Sequence, residues 1–507
     1  MRRRAFLTAA GLGGVLGIAA RAQQPGGAAA PPFCGAGCTP PPYAASHVDV
    51  EAAGHIEKAT TVLERPLWSR MKDESRSEYW AQLKAAYQKM AGRNGTPGAN
   101  GKPSPFSMAG QAWLHQYYCC PDMDPEGHIF PPGVRNIHAT ADFLPWHRAF
   151  VYFHERALQA HLGRKDFRLP VWDWEAQDGS VVPFIYEGMP MVSDENTPVT
   201  CRRRKSVPPI TECMLQSWLN IGDFINPTQA GQDSPAPMST HGPHSTVHTK
   251  LAGYMSNVPA AAFDPVFYAH HGNIDRFWEY WRSHAGPGHQ ALPQGPYYFF
   301  DAWPDPDKPK VVKVTPTDLL NTRELGYWYK PPNLDVLQLG EEIVSRQAGN
   351  SISLPLEFWR PVLRLLPDAH RSRIASILGE AAGVPEPAPR SVLKTLGVTI
   401  AAAAEFSVPE VEPGMVYALL VAGPDGKSPI AIARFGNFSS EGGPKRFSVP
   451  LCLTARKLVV LAQLSRQGGC TLFYGVIDID DDEVDEPLKI TPIDSKTAIF
   501  RFRLPQN

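Results

Sequence analysis

Apolar residues recur at helical spacing in three long stretches of the first 290 residues. From about residue 46 to 93 the pattern is helical, most clearly in "DESRSEYWAQLKAAYQKMAGR". "LPWHRAFVYFHERALQAHL" (144–162) is strongly amphipathic, with Pro145 near its start, where proline is tolerated. "DPVFYAHHGNIDRFWEYWRSH" (264–284) is a third helix, with Asp264 and Pro265 as its start signal. Residues 353–380 also read as helical, and "NGTPGANGKPSP" (94–105) reads as a loop.

Beyond "GVPEPAPRS" (383–391), read as a linker, the period shortens. "MVYALLVAG", "IAIARFGNF", "KLVVLAQLS", "CTLFYGVIDI" and "TAIFRFRL" read as strands of an antiparallel β-sandwich. The fold class expected is therefore a mainly α domain, a helical bundle with long loops, followed by a C-terminal antiparallel β-sandwich. The expected boundaries are 1–22 for a leader, 23–335 for the helical domain, 336–390 for a helical linker region and 391–507 for the β domain.

Composition adds exclusions. Lys+Arg total 49 and Asp+Glu 50 in 507 residues, a balance that gives no reason to expect nucleic acid or an anionic membrane as partner. The 51 prolines, with plentiful aromatics, point to long ordered loops. The basic run 202–205 and the acidic run 478–486 read as solvated loops. "MRRRAFLTAAGLGGVLGIAARAQ" has a basic start, an apolar middle and a small-residue cleavage site, and its Arg3-Arg4 pair resembles a twin-arginine export signal. The mature chain is expected to be soluble and periplasmic or secreted, with the export machinery as a partner and no membrane anchor. An oxidising destination permits disulfides: Cys201 with Cys213 and Cys452 with Cys470 are close enough in sequence to bridge.

The histidines carry the chemistry. His244 and His248 are four apart, so a helix places both rings on one face. Ser245 stands where a zinc protease needs its Glu. His270-His271 can supply a third nitrogen, but adjacent helical residues point about 100° apart, so only one faces a given ion. Asp275, four beyond His271, is a candidate acceptor for an imidazole, with Arg276 as its partner. His115, His138 and His147 form a second set. Six neutral imidazoles without thiolate or carboxylate suit copper, and also zinc.

"HATADFLPWHRAFVYFHERAL", "LPVWDWE", "PHSTVH", "FDPVFYAHHGNIDRFW" and "LGYWY" together resemble the tyrosinase and polyphenol oxidase family, over roughly 110–332. The resemblance implies a type-3 centre of two copper ions. The first would be held by His115, His138 and His147, the second by His244, His248 and His271. His270 would be an additional, non-ligating histidine, and His154 no ligand. It implies a thioether from Cys119 to His138, the alternative for Cys119 being a disulfide, and leaves Cys120 to pair with Cys34 or Cys38. Phe267 is expected to pack on the site as a substrate-stacking ring, and Val258 to leave a wide entrance.

The implied activity is oxidation of o-diphenols to o-quinones with O2 as co-substrate. Monophenol hydroxylation is expected to be weaker, because Ser245 replaces an Asn associated with it and residues 231–243 contain no Glu. The alternatives are an o-aminophenol oxidase, a haemocyanin-like O2 carrier and a structural zinc site. Small phenols are the expected substrates; the copper donor has no candidate. The C-terminal domain is expected to act as a lid, the alternative being a stabilising packing domain.

Overall fold

The computed structural model describes residues 53–93, 104–120, 137–138, 140–187, 203–221, 242–284, 293, 295–307, 310–334, 339–348, 350–379, 400–412, 415–438, 443–477 and 489–505. The leader, Cys34, Cys38, Cys201, the linker 383–391 and the acidic run 478–486 lie outside these residues.

Among the described residues six α-helices build the first region: α1 (Asp73–Ala91), α2 (Met108–Cys119), α3 (Phe143–Leu162), α4 (Glu212–Ile221), α5 (Gly242–Leu251) and α6 (Val266–His284). In α1 the buried residues are Leu83, Ala86, Tyr87 and Met90, the i, i+3, i+4, i+7 stripe of a helix lying on a core. Helices α2, α3 and α6 are buried nearly all round, so they form the centre. Ser107 caps α2 by accepting from the Gly110 N–H. Asp264 accepts the Val266 N–H at the start of α6, and Arg203 donates to both oxygens of that carboxylate. Arg203 is thus no solvated residue of a basic loop. It neutralises a buried carboxylate that organises the α6 start.

Beside a short hairpin of Arg346–Ala348 with Ser351–Ser353, the described residues of the second region hold eight strands: β1 (Leu339–Val344), β2 (Ala401–Val411), β3 (Val416–Ala422), β4 (Ile430–Gly436), β5 (Gly443–Pro450), β6 (Thr471–Val476), β7 (Thr491–Pro492) and β8 (Ile499–Pro505). They form two antiparallel four-stranded sheets, ordered β4-β3-β6-β7 and β5-β2-β8-β1. Both sheets contribute to one apolar cluster with helices α7 (Leu356–Leu365), α8 (Asp368–Leu378) and α9 (Ala455–Arg466). Strand β1 pairs with β8, and Trp359 and Ile374 are buried in that cluster. Residues 339–378 are therefore part of this region's core and not a linker.

"KLVVLAQLS" is not a strand but the body of α9. Thr454 caps it by accepting the Lys457 N–H, and Leu458, Val459, Leu461, Ala462 and Leu464 are buried along one side. Leu, Ala, Gln and Lys favour helix, and the cap decides the matter. Strand β2 begins with four alanines. Helix α4 packs across this sheet, where Ser217 Oγ donates to Leu451 O and the Ala402 N–H donates to Ser217 Oγ.

A disulfide joins Cys213 of α4 to Cys452, just before α9. This replaces the expected bridges Cys201–Cys213 and Cys452–Cys470. Partners 239 apart in sequence meet because α4 lies against the second region, and Cys470 remains a buried thiol. Cys120 is disulfide-bonded. No helix among the described residues is long and apolar enough to cross a membrane.

Candidate metal centre

Helices α2, α3, α5 and α6, with His138 from the turn at 137–138, bring the histidines together. One ring nitrogen from each of His115, His138 and His147 lies within 4.8 Å of the others, and the same holds for His244, His248, His270 and His271. All seven are buried. The groups abut: the rings of His147 and His271 stack with centroids 4.3 Å apart. The six histidines assigned as ligands thus fall into the two expected groups, and the second group also contains His270.

Burial holds six of these imidazoles neutral. The His115 pKa is pushed down to about 3 by desolvation and then by His244. His138, His147, His248, His270 and His271 are lowered well below the usual value, desolvation being the first cause in each. A neutral imidazole has one N–H and one lone pair. His147 Nδ1 donates to Phe143 O at 2.7 Å, and His248 Nδ1 donates to Met255 O at 2.8 Å. Their Nε2 atoms therefore carry lone pairs. His147 Nε2 is buried without a hydrogen-bond partner. His248 Nε2 and His271 Nε2 are 3.2 Å apart. Two nitrogens at ~2.0–2.1 Å from one tetrahedral ion stand roughly 3.3 Å from each other. The donor set fits a soft or borderline transition metal, copper or zinc.

Helix α6 is held in place by the stretch after Leu169. The Trp172 N–H donates to Ala269 O, the Trp174 indole N–H to His270 Nδ1, and Asn273 and Arg276 both donate to Glu175. Asp275 does not orient an imidazole. It accepts from Arg148, Tyr327 and Tyr329, with Arg65 at 3.7 Å, and these partners occupy both of its oxygens. Arg276 pairs with Glu175 instead. His154 stands apart, bonded to Tyr87 Oη and stacked on Tyr268.

Phe267 packs on His271 at 4.1 Å between centroids and edge-on to His115 at 4.9 Å. Fully buried and backed by Phe150, it lies against rings of both groups. Val258 is buried in a short 3-10 helix, Val258–Phe263. Cys119 is a thiol rather than half of a disulfide, and its Sγ lies 3.3 Å from His138 Nδ1. Burial raises its pKa well above the usual thiol value.

One residue at this site escapes any reading of the sequence. Phe438, two residues beyond β4, leaves its own region and joins the apolar core of the first. Its ring stacks on His248 with centroids 3.9 Å apart, and meets His244 at 5.2 Å and His138 at 5.8 Å edge-on. Beside it, Ser245 Oγ donates to Gly436 O. The run "IAIARFGNF" reads as strand throughout, and no local signal distinguishes its last residue.

Residues 105–209 and 190–284 match the family model described as the common central domain of tyrosinase. The chain is 29% identical over 267 residues to a chloroplastic polyphenol oxidase of Vitis vinifera, covering 45% of this chain and 42% of that protein. It is 28% identical over 274 residues to tyrosinase HcTyr1 of Hahella sp. (strain CCB-MM4), covering 45% and 57%. The structure of a recombinantly expressed latent aurone synthase, a polyphenol oxidase, aligns at 16% identity and a TM-score of 0.49, over 90% of this chain and 88% of that one. The chain spans about half the length of the curated relatives it matches.

Proposed function

Residues 105–284 make this chain a member of the tyrosinase family, and on that basis we propose that it oxidises o-diphenols to o-quinones with O2 at two copper ions. The observation that carries the reading is the pair of abutting, buried, neutral imidazole groups. His115, His138 and His147 would hold one ion, and His244, His248 and His271 the other. Copper bound there supplies the O2 chemistry and accepts two electrons from the substrate. The chain supplies position and dryness. Phe143 O and Met255 O fix the rings of His147 and His248 with Nε2 turned inward. Phe267 keeps water from the space between the groups.

Ser245 carries no acid-base group, and its hydroxyl is engaged by Gly436 O. That supports diphenol oxidation over monophenol hydroxylation, which needs a phenol proton removed. Cys119 Sγ beside His138 supports the thioether. It would fix that ring, since a covalent tether removes its rotational freedom. The region beyond 339 is a lid with Phe438 as its plug. Its ring occupies the space over His248 that an aromatic substrate would take. The chain as it stands is a resting form, exported by the twin-arginine route to the periplasm or beyond.

The test is turnover after release of the plug. Limited proteolysis between the two regions, in the 335–338 segment ahead of β1, with reduction of the Cys213–Cys452 bridge, should raise catechol oxidation several-fold at constant copper. Tyrosine hydroxylation should stay slower than catechol oxidation. Binding of O2 without catechol turnover in the opened protein would make it a carrier, and equal tyrosine turnover would make it a tyrosinase proper.

A further inference from the structure

The second histidine group contains four rings where a metal site open to O2 and substrate needs only three. His270 is as buried as its neighbours and as close to them: its ring centroid is 4.9 Å from that of His248 and 5.1 Å from that of His271. Distance therefore does not exclude it from the metal. Its hydrogen bond does. The Trp174 indole N–H donates to His270 Nδ1 at 3.0 Å. An indole N–H only donates, so Nδ1 must present its lone pair. The remaining proton of the neutral ring then sits on Nε2, and a protonated nitrogen has no pair to give a metal. His147 and His248 show the opposite arrangement, with carbonyl oxygens taking the Nδ1 proton and Nε2 left as the donor atom.

We propose that Trp174 is a positioning residue that sets the tautomer of His270, keeps it out of coordination and holds the second metal site at three ligands. This rests on the metal centre proposed above. Trp174 is itself well fixed. It is buried, and its ring stacks on Phe277 one face over, at 5.4 Å and 13°. The indole therefore cannot swing away without leaving the core. His270 Nε2 has no hydrogen-bond partner among the described residues. A buried N–H without an acceptor is costly, and the cost fits a donor reserved for an oxygen of the bound substrate. The neighbouring Glu175 serves the same purpose at longer range, since Asn273 and Arg276 fix the helix turn just beyond His270.

The experiment is nitrogen-15 NMR of the histidine rings in the full chain, loaded anaerobically with copper(I), which is diamagnetic. Copper content is measured first, on wild type and variants. Fewer than two metals in the wild type would overturn the metal centre itself. With two metals present, the His270 ring proton should be found on Nε2, and those of His147 and His248 on Nδ1. A His270 proton on Nδ1 would overturn the tautomer assignment. Trp174→Phe keeps an aromatic ring in the core but removes the donor. The His270 proton should then move to Nδ1, and Nε2 should take on the shift of a metal-bound nitrogen. His270→Gln should keep both metals, whereas His271→Gln should lose one. If Trp174→Phe loads two metals and His270 keeps its proton on Nε2, the indole does not set the tautomer and the proposal fails. A His270→Gln variant that loses a metal would show His270 to be a ligand, which also refutes it.

Discussion

Gly436 offers the sharpest perturbation of the lid. It ends β4, two residues before the plug, and touches α5 between its two metal-facing histidines. A Cβ added there would lie 2.6 Å from Ser245 Oγ and 3.1 Å from Thr249 Cγ2. The Ser245 hydroxyl must rotate away, which breaks its bond to Gly436 O, and Thr249 must give by a few tenths of an ångström. Overpacking of this kind costs ~1–3 kcal/mol. Only the closed arrangement bears that cost, because the open one separates strand from helix. At about 1.4 kcal/mol per tenfold, Gly436→Ala shifts the balance toward the open form by roughly 5- to 150-fold. The assay is catechol oxidation per bound copper in the uncleaved chain. The expected result is a clear gain over wild type, with no further gain when the variant is proteolysed and reduced. Ser245→Ala in the same chain removes the Oγ that the new methyl meets, and should return most of the closure. An unchanged rate in folded, copper-loaded Gly436→Ala would refute the idea that this contact latches the lid.

Other outcomes follow from the same geometry. Asp275→Ala should cost ~3–5 kcal/mol, because it leaves the buried Arg148 and Arg65 charges undercompensated; thermal unfolding measures it, and a loss under ~1 kcal/mol contradicts the role given to Asp275. The metal-free protein should weaken on acidification. Its histidines have folded pKa values below the unfolded value of ~6.5, so the unfolded chain binds more protons as pH falls. Stability should be flat above that pH and drop progressively toward pH 3, the value reached by His115; denaturant titrations that show stability rising in that window would contradict the burial argument. Intact-mass measurement of the disulfide-reduced protein, after copper loading in air, should show a deficit of two hydrogens, the two electrons passing to O2 as the Cys119–His138 bond forms. Cys119→Ser should abolish that deficit, and a wild-type mass at the unlinked value would remove the thioether.

Much of the metal centre was legible in the sequence because it rests on long periodic helices. The segments around His147 and His271 declare their period over five turns, and the four-residue step from His244 to His248 needs only a helix to become a face. The features that escaped are those decided by distant contacts. "KLVVLAQLS" is too short for its period to separate strand from helix, and the Thr454 cap is a local clue that the apolar run overshadows. The four alanines that open β2 have weak strand preference; the close approach of α4 explains why small residues stand there. The pairing of Cys213 with Cys452 depends on how the two regions meet, which no spacing encodes. Asp275 shares the helical step of a residue that could serve His271, yet Arg148 and the two tyrosines of "LGYWY" claim it first. Phe438 and Trp174 each act on the histidines from another part of the chain, so neither contact is marked locally, although Trp174 stands in "LPVWDWE".

The central claim is that two groups of three histidines each hold one copper ion. Metal analysis with electron paramagnetic resonance on the purified, copper-loaded protein tests it most directly, in wild type and in His147→Ala and His248→Ala. The account predicts two coppers per chain in wild type, largely silent because the ions are coupled. Each variant should hold one copper, now visible as an isolated ion. A single copper in wild type, or two retained in either variant, would contradict it.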